Sequence, residues 1–498
     1  MTEPRRWWTR RRIGLAAAIA ATVAILGTLG WFWFGSLVPS TYSVMDMGYV
    51  DAGGGPGGAP GGGHDHGGTS VATLRGPEGT PAVAVTLTAR RESFALASGE
   101  KVRGYTLNHA SPGPTIEVSE GELLEVTLVN ESVDEGVTLH WHGVDVPNAE
   151  DGVAGVTQDA VPRGGRHVYR FRAEHPGTYW YHSHQVSHEQ VKEGLFGTLL
   201  IRPRQAPAAA VTAVVAPVHT YDGRRTIAGR TGVQRVPATG PGSPLLIRLV
   251  NTDSGTVRVS VTGAPYRLVA IDSRDLRGPT DVSDRAIPLA AGGRADVAIT
   301  TPADGSAVRL DVGAGAALVI GPAGAAEPPA RDLDDTLDLL TYGSPAPVGL
   351  AVDAPDRRFE MRLGRRPGFL DGRPGLWWTI NGRLFPDVPM YLVRQGDVVV
   401  MTISNSSGQE HPMHLHGHHA LVLSRNGTPA SGSPWWTDSL GVDSGDTYVI
   451  AFRADNPGVW MDHCHNLPHA ADGMVTHLTY EGFRTPYLVG GDASNEPE

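Results

Sequence analysis

Ten of the 20 histidines in this 498-residue chain fall in four short motifs. They are His140-Trp141-His142-Gly143, His182-Ser183-His184, His411-Pro412-Met413-His414-Leu415-His416, and His463-Cys464-His465 followed by His469 and Met474. Residues i and i+2 of a strand share a face, so each H-x-H pair projects two imidazoles together. One such pair is weak evidence, because paired surface histidines arise by chance. Four pairs in one chain would need four independent coincidences. Imidazole suits zinc, copper, iron and nickel, and eight imidazoles on shared faces can close on one metal cluster.

The fourth motif adds a thiolate. Cys464 is the chain's one cysteine, so it has no disulfide partner within the chain. A lone thiol also reads as a small buried apolar residue, but the neighbours here are ligands. His469 lies five residues on, Met474 five beyond that, and His411 can complete the set from another strand. Two His, one Cys and a weak axial Met are the donors of a blue-copper electron-transfer site. Zinc prefers closed tetrahedral sets and has no redox chemistry. Cys464 is covalently joined to His463 and His465, so an electron reaching its sulfur is a few bonds from metals held by its neighbours.

The elements that position these groups read as strands. Short apolar runs alternate with polar positions and are punctuated by Gly, Pro, Asn and Asp. Gly (64) and Pro (38) are abundant and disfavour long helices, which points to an all-β chain. Gly121 to Asn130, Gly242 to Asn251 and Gly396 to Asn405 resemble one another: a turn glycine, a strand and a terminating Asn. Three copies imply three related β-domains, expected at 71–203, 204–345 and 346–498. A second repeat joins only the first and third. Phe171 to His184 aligns without a gap to Phe452 to His465, with seven of 14 positions identical and Ser183 standing against Cys464. The second domain carries no histidine motif and is expected to act as a spacer.

In order and spacing the four motifs resemble those of the multicopper oxidases: laccases, ascorbate oxidase, ferroxidases and bacterial cuprous oxidases. The resemblance runs from about residue 71 to 485. It implies three cupredoxin-like Greek-key β-barrel domains, a type 1 copper in the third, and a trinuclear centre between the first and third, four copper ions in all. His411, Cys464, His469 and Met474 match the type 1 ligands; His140 and His414 match the type 2 pair. His142, His182, His184, His416, His463 and His465 match the type 3 ligands. Asp151 stands where the family places a carboxylate near the trinuclear centre, to orient an imidazole or deliver protons. Glu410 precedes His411 and can accept a hydrogen bond near the substrate-facing edge. Many bacterial relatives carry a Glu after the residue matching His469; here it is Ala470, and Asp472 is the nearest acid. His188, His418 and His419 match no ligand position and read as supporting or surface groups.

The N-terminus reads as an export or anchoring segment. Arg10, Arg11 and Arg12 precede an uncharged stretch, and Ile13 to Phe34 is long enough as a helix to cross a bilayer. Trp31, Phe32, Trp33 and Phe34 would form an aromatic belt. The run Thr9 to Ile13 also resembles a twin-arginine signal. No small-residue processing site follows at a sensible distance, so residues 1–44 are expected to remain as a transmembrane anchor, with the body outside the bacterial plasma membrane. Cleavage would make the body an exported protein. Residues 45–70 read as a Gly/Pro-rich flexible linker whose Met45, Met47, His64 and His66 could collect copper or simply space the body. The chain's net charge is -11, of which the first 44 residues contribute +4. The acidic body argues against a nucleic-acid partner.

The expected function is oxidation of a reducing substrate one electron at a time, coupled to reduction of dioxygen to water. Phenols, aromatic amines, ferrous and cuprous ions are all candidate reductants. The methionine-rich insertion of some cuprous oxidases is absent, although an anchored copper protein suits copper resistance. The alternative is an extracytoplasmic protein that sequesters copper. A copper nitrite reductase fits poorly, because its type 2 site needs far fewer paired histidines.

Overall fold

The computed structural model describes residues 5–54, 68–205, 211–237 and 240–498. Strands hold 46% of the chain and helices 9%. Apart from the N-terminal helix Arg5–Phe34, the body is built from three pairs of sheets. The first pairs a sheet ordered Lys101–Leu107, Val83–Ala95, Leu123–Asn130, Arg166–Arg172 with one ordered Gly113–Ser119, Phe196–Arg202, Gly177–His182, His140–His142. The second has seven- and five-stranded sheets within 212–321, and the third six- and seven-stranded sheets dominated by 357–480. Each pair encloses its own apolar core. A fourth, smaller cluster joins Trp180 and Phe196 of the first pair, Tyr221 and Val250 of the second, and Leu467 of the third.

The repeated segments occupy the same place in all three pairs. Leu123–Asn130, Pro244–Asn251 and Val398–Asn405 each lie between a parallel neighbour on one side and an antiparallel one on the other. The preceding glycines, Gly121, Gly242 and Gly396, all have positive φ, which glycine adopts without steric cost. Each terminal asparagine turns its amide under the strand end. Asn130 donates to the carbonyls of Val133 and Val161, Asn251 to those of Gly255 and Leu289, and Asn405 to those of Gln409 and Val442. The second repeat is structural too. Gly177–His182 and Val459–Cys464 are each followed by a short helix, Ser187–Gln190 and Leu467–Ala471.

The expected flexible linker does not begin at residue 45. Val44–Asp46 forms a 3-10 turn capped by Ser43, and Met45 and Met47 are buried in the third core. Tyr49–Asp51 pairs in parallel with Pro389, Met390 and Tyr391. On the far side, Thr69–Ser70 pairs with Phe483–Arg484. A three-residue edge strand is too short to show periodicity, and the glycines that follow it masked the signal. Met45 and Met47 are therefore core thioethers rather than ligands on a tether. His64 and His66 lie outside the described residues.

Candidate metal centre

The third sheet pair builds the first site. Strand His411–Leu415 runs antiparallel to Val459–Cys464, with Met413 opposite Cys464 and His414 opposite His463. The helix Leu467–Ala471, with a proline in its first turn, returns His469 to the same point. Cys464 Sγ lies 3.5 Å from His411 Nδ1 and 3.8 Å from His469 Nδ1, and the two Nδ1 atoms are 3.2 Å apart. Ser407 Oγ is 2.7 Å from His411 Nε2 and can accept its proton, which leaves Nδ1 a bare lone pair. Burial holds both imidazoles neutral, pushing His411 down to about 3 and His469 to about 4, with the Arg365 charge adding to both. Burial also pushes the Cys464 thiol far up, so only a bound cation would keep it a thiolate. Met474 is fully buried, and its carbonyl accepts from the Cys464 N–H at 3.1 Å. Trp378 packs on both rings, with centroids 4.3 Å from His469 and 5.0 Å from His411.

The second site lies between the first and third sheet pairs. Its eight imidazoles come from His140, His142, His182, His184, His414, His416, His463 and His465, all nearly or fully buried. All but His465 have an outer nitrogen within 3.1 Å of an oxygen. His140 Nδ1 donates to the Asp151 carbonyl at 2.9 Å, and His414 Nδ1 to the Asp438 carbonyl at 2.7 Å. His416 Nδ1 meets Asp151 Oδ2 at 3.0 Å, and His463 Nδ1 meets Glu498 Oε1 at 3.0 Å. His184 Nδ1 donates to the Pro497 carbonyl and His182 Nδ1 to that of Ser183. His142 is reversed: its Nε2 lies 3.1 Å from Asp438 Oδ1, and its Nδ1 faces inward.

The inner nitrogens have no donors among the described residues. His140 Nε2 and His414 Nε2 are 3.3 Å apart, and His416 Nε2 and His463 Nε2 are 3.2 Å apart. His142 Nδ1, His182 Nε2, His184 Nε2 and both nitrogens of His465 are buried with no hydrogen-bond partner. Burial holds His142, His182, His184, His414, His416 and His465 well below the usual imidazole range, with neighbouring imidazoles adding to it. Buried acceptors left unpaired cost about 1–3 kcal/mol each, and here they converge. Three-residue groupings within 4.8 Å include His140/His142/His182, His140/His414/His416 and His184/His416/His463. A cluster of inward lone pairs with outward N–H groups held by oxygens is the donor set of a metal site.

Asp151 spans the two outer sheet pairs, 3.0 Å from His416 and 3.1 Å from His140 Nδ1. Glu410 points elsewhere. Its Oε1 accepts from the Thr256 hydroxyl, and it lines a 760 Å³ groove between the second and third sheet pairs. His418 bonds Tyr480 and the His416 carbonyl. His419 bridges Asp145 and Asp438 at 3.3 Å each. Ala470 is buried, and Asp472 is partly exposed at a separate cavity.

Three positioning groups carried no sequence motif. Asp438 is gripped by both Nη atoms of Arg294 at 2.5 Å each. Arg294, 1% exposed, comes from the second sheet pair and donates also to the Thr178 and Gly292 carbonyls. The second sheet pair thus reaches the cluster instead of merely spacing its neighbours. Glu498 reaches His463 from the far end of the sequence and accepts from Ser187 as well.

Two family models described as multicopper oxidase match the chain, at residues 88–206 and 358–482. Each covers one of the two regions that carry the histidine pairs. The chain belongs to the multicopper oxidases. Among its relatives, this oxidase is 27% identical over 465 residues to the multicopper oxidase MmcO of Mycobacterium tuberculosis, covering 81% of this chain and 88% of the other. It is 26% identical over 459 residues to Laccase-1 of Botryotinia fuckeliana, covering 76% and 79%. In structure the oxidase resembles a multi-copper oxidase from Pseudomonas thermotolerans (TM-score 0.66, 24% identity, 80% of this chain and 100% of the other). It also resembles a multicopper oxidase from Campylobacter jejuni described as a metallo-oxidase (TM-score 0.65, 20% identity, 87% and 98%). These likenesses assign the all-β, cupredoxin-like fold.

Proposed function

We propose that this oxidase holds four copper ions and reduces dioxygen to water with electrons from a phenol, aromatic amine or metal ion. In this reading His411, Cys464, His469 and Met474 hold a type 1 copper. His140 and His414 hold a type 2 copper, and the six remaining histidines of the cluster hold a type 3 pair. Copper held by these residues would supply single-electron uptake and four-electron reduction of one dioxygen to two waters. The observation that carries this reading is the covalent run His463-Cys464-His465, whose thiol faces one site while its two flanking imidazoles face the other. The protein's part is to fix donors. Asp151 and Asp438 hold N–H groups outward so that bare nitrogens face the cluster, and burial keeps those of His142, His414 and His416 unprotonated.

Asp151 is also placed to pass protons toward the cluster, since it touches imidazoles from both outer sheet pairs. Glu410 serves as a carboxylate of the groove that faces the second sheet pair. The apolar N-terminal helix, residues Arg10–Phe34, contains an 18-residue stretch with a mean hydropathy of 2.1, none of it buried. We read it as an anchor holding the body outside the plasma membrane.

A protein that only sequestered copper would not need a thiolate wired to eight inward imidazoles. The test is Cys464→Ser. This variant should lose the intense red-end absorption and the oxidase activity while retaining much of the copper bound by histidine. A variant that stays blue would overturn the type 1 assignment. Initial rates with cuprous ion, ferrous ion and a dimethoxyphenol under identical conditions then rank the reductants.

A further inference from the structure

A cavity of about 480 Å³ lies where the N-terminal helix joins the body, within the size range of small-molecule sites. The join is rigid. Ser36 accepts from the backbone N–H groups of Asp371, through its carbonyl at 3.0 Å, and of Gly372, through its hydroxyl at 3.1 Å. Val38 N–H donates to Asp371 Oδ1 at 3.3 Å. Gly372 has positive φ, and a Cβ there would lie 2.9 Å from Trp33 Nε1, so the indole covers the tip of the hairpin formed by Arg357–Leu370 and Arg373–Ile380. Beside the tip, Leu376 is 51% exposed and the Arg373 guanidinium lies over Trp377. Trp31, Phe32 and Phe34 are exposed at the end of the helix. Tryptophan, arginine and exposed apolar side chains together suit the bilayer interface.

Val38, Leu370, Asp371 and Arg373 of this junction line the cavity. Val38, which lines it, is four residues past Phe34, so it lies at most about 14 Å beyond the apolar span. The cavity lining includes the apolar Val38, Tyr42, Val44, Leu370 and Phe385. The lining also includes the polar His188, Asp472, His477, Glu496 and Glu498. His477 is 3% exposed, and its Nε2 has no hydrogen-bond partner among the described residues. Pro468 and Ala470 also line the cavity, so its wall is covalently continuous with His469. None of the three-residue metal groupings among the described residues includes a cavity residue. The chemistry is that of an amphiphile with a hydroxyl-bearing head.

We infer that this cavity admits a membrane-borne hydroquinone, with its apolar tail toward the bilayer and its hydroxyl at the His477 end, and that its electrons enter the protein at His469. The inference rests on the four-copper, anchored reading. Two hydroquinones and one dioxygen give two quinones and two waters: each hydroquinone loses two electrons singly and two protons, and dioxygen takes up four of each.

The test uses the full copper-loaded chain in phospholipid vesicles. Oxygen uptake is followed with decyl hydroquinone, which partitions into the bilayer, and with ferrocyanide, which does not. Val38→Trp adds bulk to the cavity lining next to the helix and should lower the ratio of hydroquinone to ferrocyanide rates by about tenfold. An azido derivative of decyl hydroquinone should label peptides carrying Tyr42 or Met461, both cavity residues. An unchanged rate ratio in a blue variant, or labelling that avoids those peptides, would overturn the inference. If Val38→Trp is colourless, labelling of the wild type decides alone. Uptake with ferrocyanide but not hydroquinone sinks this inference and leaves the oxidase reading standing. No uptake with either donor, or release of the chain from the vesicles, sinks the underlying reading as well.

Discussion

Asp438 shows how one carboxylate sets several geometries. Burial opposes its charge, yet Arg294 and His419 hold its carboxyl well below the usual range. Its Oδ1 faces His142 Nε2, which turns His142 Nδ1 toward the cluster. Removing it leaves the buried Arg294 guanidinium with Asp272 alone as counter-ion, 3.3 Å away, so Asp438→Ala should cost about 3 kcal/mol of stability, the low end for a broken buried pair. The same variant should bind less copper, as read by metal analysis and the type 3 absorption. Replacing Arg294 and Asp438 together by Met and Leu should cost less than the two single changes summed. His167 provides a separate, pH-dependent prediction away from any ligand. Burial, helped by the Arg75 charge, pushes its imidazole down to about 4, against about 6.5 in an unfolded chain. The unfolded state therefore binds more protons between those values, and stability falls as pH drops from about 6.5 to about 4. Thermal melts of His167→Gln should show a weaker acid dependence than the wild type over that window. An identical slope would show that His167 titrates normally.

At the scale of elements, the paired histidines could be placed from sequence because a strand's two-residue period is reliable. The pairs indeed sit on or just beyond the strands His140–His142, Gly177–His182, His411–Leu415 and Val459–Cys464. Asp438, Arg294 and Glu498 could not be placed, because each acts across sheet pairs and local spacing carries no record of that. Residues 45–54, expected as the start of the flexible linker, escape the sequence reading for another reason. Its side chains face an existing core singly, so no pattern repeats. Met45 and Met47 are each 5% exposed, and truncating a buried methionine to alanine costs about 2–5 kcal/mol. Met45→Ala should therefore lower the denaturation midpoint clearly. A midpoint within error of the wild type would restore the flexible-linker reading.

For the whole molecule, the helix Arg5–Phe34 continues into the body with only short turns between them, and Thr41–Tyr42 already pairs with Val489–Gly490. This leaves little room for a processing enzyme at the junction. Fractionation of cells should recover the intact chain with the membranes, resistant to salt and released by detergent. A soluble body starting after residue 34 would show that the segment is removed. The abundant Gly and Pro, the three-fold repeat and the apolar N-terminal stretch point to an exported all-β body, but composition cannot reveal that the exit of the N-terminal helix and the short helix bearing His469 share one cavity.

The two metal sites differ in when they can form. His411, Cys464, His469 and Met474 lie within 64 consecutive residues of one sheet pair, so that site needs only local folding. His140 and His414 face each other across 274 residues of chain. Contacts of such sequence separation form late, because distant segments must first be brought together. During refolding, blue colour should therefore report a folded third sheet pair, while the signal of the histidine cluster should lag until the first has docked against it. On the four-copper reading, the chain would carry a two-stage clock for assembly, written in metal spectra.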